Sequence, residues 1–267
     1  MIAVTTTLAE SAEECKKAGE ISRTLNLPLC PRNNTGIGKL IEKHSLKGIV
    51  IVSREKITYS YPGGEFFFHP GMAKLRINEI LNGKTDQMIK ALDLIPGCTV
   101  LDCTLGLGSD AIVTSFANSA GKVIGIERSP VLSLIVREGL ASYSGGISQG
   151  LKGAMRRIKV ICDDYNHFLK NQPDQSVDIV YFDPMFRIPG HKSSAIDAMR
   201  PLTDKSPLSP EAIEEALRVA RRRVVVKELR NGPELTRLGF NRITGGKYSP
   251  VAYGVVEKGG GRYKPLL

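Results

Sequence analysis

Val100-Leu-Asp-Cys-Thr-Leu-Gly-Leu-Gly-Ser-Asp110 is the stretch that decides the fold. It begins as a short apolar run, turns on two glycines and leads into an amphipathic segment. Gly106 and Gly108 allow tight turning and close approach of backbone to a ligand. A helix opening near Ser109 offers free N–H groups to an anion. The segment therefore predicts a strand, a glycine turn and a helix, the unit with which α/β folds hold a nucleotide. The anion is either a pyrophosphate or the carboxylate of a methionine moiety.

Outward from this segment, apolar strands alternate with amphipathic helices. Further strands are predicted at Lys122 to Glu127, Ile158 to Cys162, Asp178 to Asp183 and Arg223 to Lys227, and helices at Ser109 to about Asn118, Pro130 to Leu140 and Ser209 to Ala220. β-Branched runs separated by helices imply a buried parallel sheet. Arg237 to Thr244 and Val251 to Lys258 flank a loop too short for a crossover helix, which predicts an antiparallel hairpin at the end. The expected class is α/β, with a Rossmann-like, mostly parallel sheet over residues 85–267. Residues 1–84 read as a small N-terminal α/β domain: a strand at Ile2 to Thr6, a helix capped by Ser11, a hairpin over Gly48 to Tyr61, and a helix from Met72 to Leu81.

A 42% hydrophobic, 24% charged composition is ordinary for a globular chain, and no apolar run is long enough to span a membrane. The N-terminus lacks the basic and apolar regions of a secretory signal. The five cysteines are scattered without a Cys-x-x-Cys pair or a neighbouring His cluster, so reduced, buried thiols in a cytoplasmic protein are expected, with no metal site. A net charge of +10 favours a polyanionic partner such as RNA. Arg156-Arg157 and Arg221-Arg-Arg223, the dense basic clusters, read as solvated helix ends.

Ligands of open α/β sheets bind at the carboxyl ends of the strands. Glu127 closes the second strand, where its carboxylate can accept from both ribose hydroxyls of NAD or of S-adenosylmethionine. Asp102 can orient the glycine loop and a ligand ammonium group, and Asp164 of Asp163-Asp-Tyr165 can accept from an adenine amine or cap a short helix. These acids and the terminal hairpin favour the methyl donor over a dinucleotide, although a dinucleotide-dependent oxidoreductase stays open.

Asp183-Pro-Met-Phe186 supplies an acceptor site. A base amine is a poor nucleophile because its lone pair is delocalised into the ring. A carboxylate from Asp183 and the Pro184 carbonyl can accept its two N–H bonds and aim the nitrogen. Phe186 can stack on the base, worth about 1–3 kcal/mol. An Asp-Pro turn followed by core side chains fits the same residues. The motif alone also allows DNA adenine or a protein amide as acceptor. His69, Lys74 and Arg76, His191 and Lys192, and Lys227 are candidate contacts to a nucleic-acid backbone.

Val100 to Asp110, Glu127-Arg-Ser-Pro130, Asp183-Pro-Met-Phe186, His191-Lys192, Met199-Arg200 and Arg223-Val-Val-Val-Lys227 together resemble the 16S ribosomal RNA (guanine-N2)-methyltransferase J family. The resemblance covers roughly residues 60 to 257. It implies a class I S-adenosyl-L-methionine-dependent methyltransferase acting on a guanine exocyclic amine in the small ribosomal subunit. It further implies donor contacts at Ser109-Asp110, Glu127-Arg128, Asp164-Tyr165 and Asp183. Ser109 stands where the family has an arginine, and Asp164-Tyr165 where it has two small hydroxyl residues.

Overall fold

A computed structural model of the protein describes residues 1–184, 202–203 and 206–259. Through the first third of the chain the elements are β1 (Ile2–Thr6), α1 (Ala12–Leu25), α2 (Ile37–Lys43), β2 (Gly48–Val52), β3 (Ile57–Tyr61), β4 (Gly64–Phe67), α3 (Gly71–Leu81) and α4 (Gln87–Leu92). The middle third holds β5 (Thr99–Asp102), α5 (Ser109–Ala117), β6 (Lys122–Glu127), α6 (Pro130–Ser142), α7 (Gln149–Arg156), β7 (Ile158–Cys162) and α8 (Tyr165–Lys170). The last are β8 (Val177–Phe182), α9 (Pro210–Val219), β9 (Ala220–Leu229), α10 (Glu234–Arg237), β10 (Arg242–Thr244) and β11 (Val251–Glu257).

Two compact units divide the chain: one holds Met1–His69 and Ser129–Gly145, the other Pro70–Arg128 and most of the chain from Gly146 onward. Helix α3, expected in the N-terminal domain, falls in the second unit, and α6, expected in the C-terminal domain, falls in the first.

The first unit is built on a four-stranded sheet of order β1-β2-β3-β4, with β1 parallel to β2 and the rest antiparallel. Ser11 starts α1 through a full capping box: its hydroxyl accepts from the Glu14 N–H, and the Glu14 carboxylate accepts from the Ser11 N–H at 2.9 Å. Ala3, Leu40, Leu46 and Ile49 form a core of this unit.

The second unit carries a seven-stranded sheet of order β10-β11-β9-β8-β5-β6-β7. Strands β5 to β9 run parallel, and β11 enters antiparallel to both β9 and β10. The predicted terminal hairpin is present, but its first arm is shorter than expected. Arg237 ends a helical turn, and β10 begins only at Arg242. Gly239 between them has φ +76°, which breaks the extended run.

Period-two alternation separates the two faces of this sheet. Leu101, Val180, Phe182, Val224 and Val226 bury one face against Ala212, Ile213, Ala216 and Val219 of α9. The intervening residues, Asp102, Tyr181, Asp183 and Lys227, share the other face. On that second face the polar residues fall toward the carboxyl ends of the strands, and it is apolar further back at Val100, Ile179 and Val225.

Two sequence expectations are corrected. Arg221-Arg-Arg223 lies within β9 and not at a solvated helix end; Arg223 is buried, and its Nη2 lies 2.6 Å from Asp93 and 3.2 Å from Glu257. Of the five free cysteines, Cys98 and Cys103 are buried, whereas Cys15 and Cys162 are exposed. Among the described residues no helix is long and apolar enough to cross a membrane.

Candidate active site at the carboxyl edge of the parallel sheet

Because β5 to β9 are parallel, their carboxyl ends lie along one edge, and the strand order reverses between β5 and β8. Such a reversal opens the crevice in which α/β sheets take ligands. The glycine turn follows β5, Glu127 closes β6, Asp163-Asp164 follows β7, and Asp183 follows β8.

The turn is held from three sides. The Thr104 N–H donates to Asp102 Oδ1 at 3.0 Å, the Leu105 N–H to the Ile126 carbonyl at 2.9 Å, and the Gly106 N–H to Glu127 Oε2 at 3.1 Å. Gly106 and Gly108 take φ values of +50° and +74°, the left-handed region that favours glycine. Gly108 is the N-cap of α5 and brings no side chain to cap the helix. The first-turn N–H groups of α5 therefore suit a carboxylate or phosphate. Asp102 is buried, and that burial pushes its carboxyl pKa well above the usual range.

The loops after β6 and β7 are tied together, since Arg128 Nε lies 3.3 Å from Asp164 Oδ2. Asp164 also caps α8 by accepting from the Asn166 N–H at 2.8 Å, so the capping role read from sequence is present. Tyr165 turns its ring edge-on to Phe182, with centroids 5.6 Å apart.

Asp183 lies beside Lys227 because Phe182 pairs with Val226. The Asp183 N–H donates to Thr104 Oγ1 at 2.6 Å, which locks the end of β8 to the glycine turn. Its Oδ2 receives the Lys227 ammonium at 2.8 Å, and no described side chain donates to its Oδ1. Lys227 also reaches Asp110 Oδ2 at 3.1 Å. That oxygen takes the Tyr181 hydroxyl at 2.7 Å as well, while Asp110 Oδ1 accepts from Arg76. Arg76 forks onto Asp86 through Nε at 2.8 Å and Nη2 at 3.0 Å. Burial works against ionisation of both central carboxylates. At Asp110 the Lys227 and Arg76 charges outweigh it and hold the pKa below the usual range. At Asp183 burial and the Asp110 charge prevail over Lys227 and raise the pKa to about 6.

Asp102, Gly106, Gly108, Ser109, Asp110, Glu127, Arg128, Asp164, Tyr165 and Asp183 thus all stand at this edge or in the loops on it, with Pro184 next in the chain. Phe186, His191 and Lys192 lie outside the described residues. Two cations expected at a nucleic-acid backbone have other partners: Arg76 and Lys227 are committed to carboxylates. Lys74 donates to the Gly146 carbonyl at 2.8 Å. Within the first unit, His69 packs edge-on against Tyr143. Sequence reasoning missed Thr104, Tyr181 and Asp86. Tyr181 was within reach, because a residue two positions before Asp183 on a strand shares its face.

The fold defines a methyltransferase-like α/β protein: the SAM-dependent methyltransferase NGO1261 from Neisseria gonorrhoeae superposes with a TM-score of 0.65 over 98% of both chains, at 17% identity. A family model described as "Putative SAM-dependent methyltransferase" matches residues 66–248, and the chain belongs to that family, whose methyl donor is S-adenosyl-L-methionine. The "Uncharacterized protein YpiP" of Bacillus subtilis (strain 168) is 41% identical over 256 residues, covering 95% of this chain and 98% of its own. Ribosomal RNA small subunit methyltransferase J of Hydrogenovibrio crunogenus is 32% identical over 165 residues, 60% of this chain and 58% of the relative. The glycine turn latched to Glu127, with an uncapped helix behind it, fits such a donor.

Proposed function

We propose that the protein methylates an exocyclic base amine of RNA, guanine N2 of small-subunit rRNA. What supports this most is Asp183: one carboxylate oxygen is held by Lys227 while the other meets no described donor, beside a donor-type glycine turn. That arrangement leaves Oδ1 to accept one amine N–H and the Pro184 carbonyl to accept the second, aiming the nitrogen lone pair. Proline fixes its own φ and thereby restricts that carbonyl. Phe186, two residues on, is proposed to stack on the base.

S-adenosyl-L-methionine supplies an electrophilic methyl group, and the chain supplies the rest. Glu127 takes the ribose hydroxyls, the start of α5 at Ser109-Asp110 takes the carboxylate through backbone N–H groups, Asp102 faces the ammonium group, and Asp164 accepts from the adenine amine. His69, His191 and Lys192 are proposed to meet the RNA backbone. The activity named for the distant Hydrogenovibrio relative and the net charge of +10 favour rRNA as the acceptor.

Mass spectrometry of nucleosides from small-subunit rRNA, with and without the gene, tests the assignment. Loss of N2-methylguanosine from one site is expected. An unchanged set of methylated nucleosides would remove the rRNA assignment and return DNA adenine and protein amides to consideration.

A further inference from the structure

We propose that Lys227 is a positioning residue: by bridging Asp183 to an anchored Asp110, it aims the Asp183 carboxylate and keeps it ionised. The inference rests on the assignment of Asp183 to the acceptor amine.

The anchor is what distinguishes this lysine from a substrate contact. Asp110 accepts from Arg76 on one oxygen and from Tyr181 and Lys227 on the other, so its carboxylate serves the protein. Asp86 holds Arg76 through two bonds, which fixes the far end of the chain of charges. Lys227 keeps 18% side-chain exposure and Asp110 10%, so the pair is shielded from solvent screening. Asp183, at 29%, is the member that opens to the crevice.

Charge counting gives the lysine its function. Among the described residues, three ion-paired carboxylates, Asp86, Asp110 and Asp183, meet two cations, Arg76 and Lys227. The surplus negative charge falls on the most weakly compensated acid. From the elements around it, Asp183 faces Lys227 of β9, Asp110 of α5, Asp102 of β5 and Tyr181 of β8, with Tyr253 of β11 across from Lys227. Among the described residues Lys227 is the cation in direct contact with it, and Thr104 holds its backbone. Without Lys227, two neighbouring carboxylates lose their shared cation; Asp183 then takes a proton at higher pH and is free to rotate. A protonated, misaimed Asp183 cannot accept from the amine.

The test compares Lys227→Met, Lys227→Arg, Asp110→Asn and Asp183→Ala with the wild type. Three readouts are taken: methyl transfer to rRNA lacking the modification, a carboxyl-resolved NMR titration of Asp183, and calorimetric binding of S-adenosyl-L-methionine. Lys227→Met is expected to lower kcat about 100-fold, the size of effect that misplacing a reacting group by an ångström produces. Its Asp183 titration and the acid limb of kcat move to higher pH. Lys227→Arg restores most of the rate. Asp110→Asn removes a neighbouring negative charge and moves the Asp183 titration the opposite way, to lower pH. A merely structural lysine would shift the Asp183 titration without moving the acid limb of kcat with it, and Lys227→Arg would not be needed to restore the rate. Wild-type kcat and titration in Lys227→Met, with Asp183→Ala inactive, would overturn the positioning role alone. Full activity in Asp183→Ala would overturn the acceptor assignment beneath it. If Lys227→Met does not fold, the Asp110→Asn shift decides: an unchanged Asp183 titration there refutes the coupling.

Discussion

Replacing Glu127 by alanine removes two things that the structure separates. The first is the latch, in which Glu127 Oε2 accepts from the Gly106 N–H at 3.1 Å. Glu127 is only 9% exposed and Gly106 is half-buried, so water reaches the freed N–H only in part. Leaving such a donor unpaired costs about 1–3 kcal/mol. At about 2–4 °C per kcal/mol for a chain of this size, the ligand-free protein should melt about 2–12 °C lower. The second is the charged acceptor proposed for the ribose hydroxyls. Hydrogen bonds to a charged group contribute about 1.5–3 kcal/mol, so donor affinity should fall about 10- to 150-fold at 1.4 kcal/mol per decade. Scanning calorimetry reads the first loss and titration calorimetry with S-adenosyl-L-methionine the second. Glu127→Gln keeps an acceptor for Gly106 and should recover most of the melting temperature but only part of the affinity. A dissociation constant within twofold of wild type in Glu127→Ala would refute the ribose assignment, and an unchanged melting temperature would refute the latch.

Breaking the Arg76 fork is expected to be costly, because Asp86 and Asp110 keep only 10% side-chain exposure each. Arg76→Met should destabilise by about 3 kcal/mol in urea unfolding, as expected when one partner of a buried ion pair is removed; a loss below 0.5 kcal/mol would contradict the role of the pair (about the size of a neutral surface change). Asp110 also predicts an acid dependence. Its folded pKa lies below the unfolded value of about 3.9, so its ionised form stabilises above that value and the contribution disappears as pH falls through the folded pKa. The stability gap between wild type and Asp110→Asn should therefore be widest near pH 7 and shrink below about pH 4; a gap that widens on acidification would reverse the assigned sign. Gly106→Ala isolates backbone strain, because its added Cβ would meet nothing closer than the Thr104 carbonyl at 3.8 Å. Holding alanine at φ +50° should cost about 1–2 kcal/mol and weaken donor binding; a variant as stable as wild type would show that the turn relaxes freely.

The parallel sheet was legible because its strands are short, β-branched runs, and the strand-end acids were legible because α/β sheets bind ligands at that edge. The glycine turn, Glu127, Asp164 and Asp183 came from those two regularities. The partnerships of the charged residues did not. Arg76 and Lys227 looked like cations for a nucleic-acid backbone, since nothing local in the sequence announces that Asp86, Asp110 and Asp183 converge on them. Such pairings depend on contacts as distant as Lys227 to Asp110, which only the assembled sheet brings together. Helices α4 and α7 were passed over because short helices are held by packing and caps more than by a readable repeat. Composition changes near residue 85, and the second compact unit begins at Pro70.

Asp183, at the end of β8, is proposed to present an RNA base amine to the methyl donor. Small-subunit rRNA isolated without this protein, incubated with methyl-labelled S-adenosyl-L-methionine and analysed nucleoside by nucleoside, tests it most directly. The wild type should place label on guanine N2 at one site, and Asp183→Ala should place none while still binding the donor. Equal labelling by Asp183→Ala, or no label in RNA from the wild type, would contradict the account.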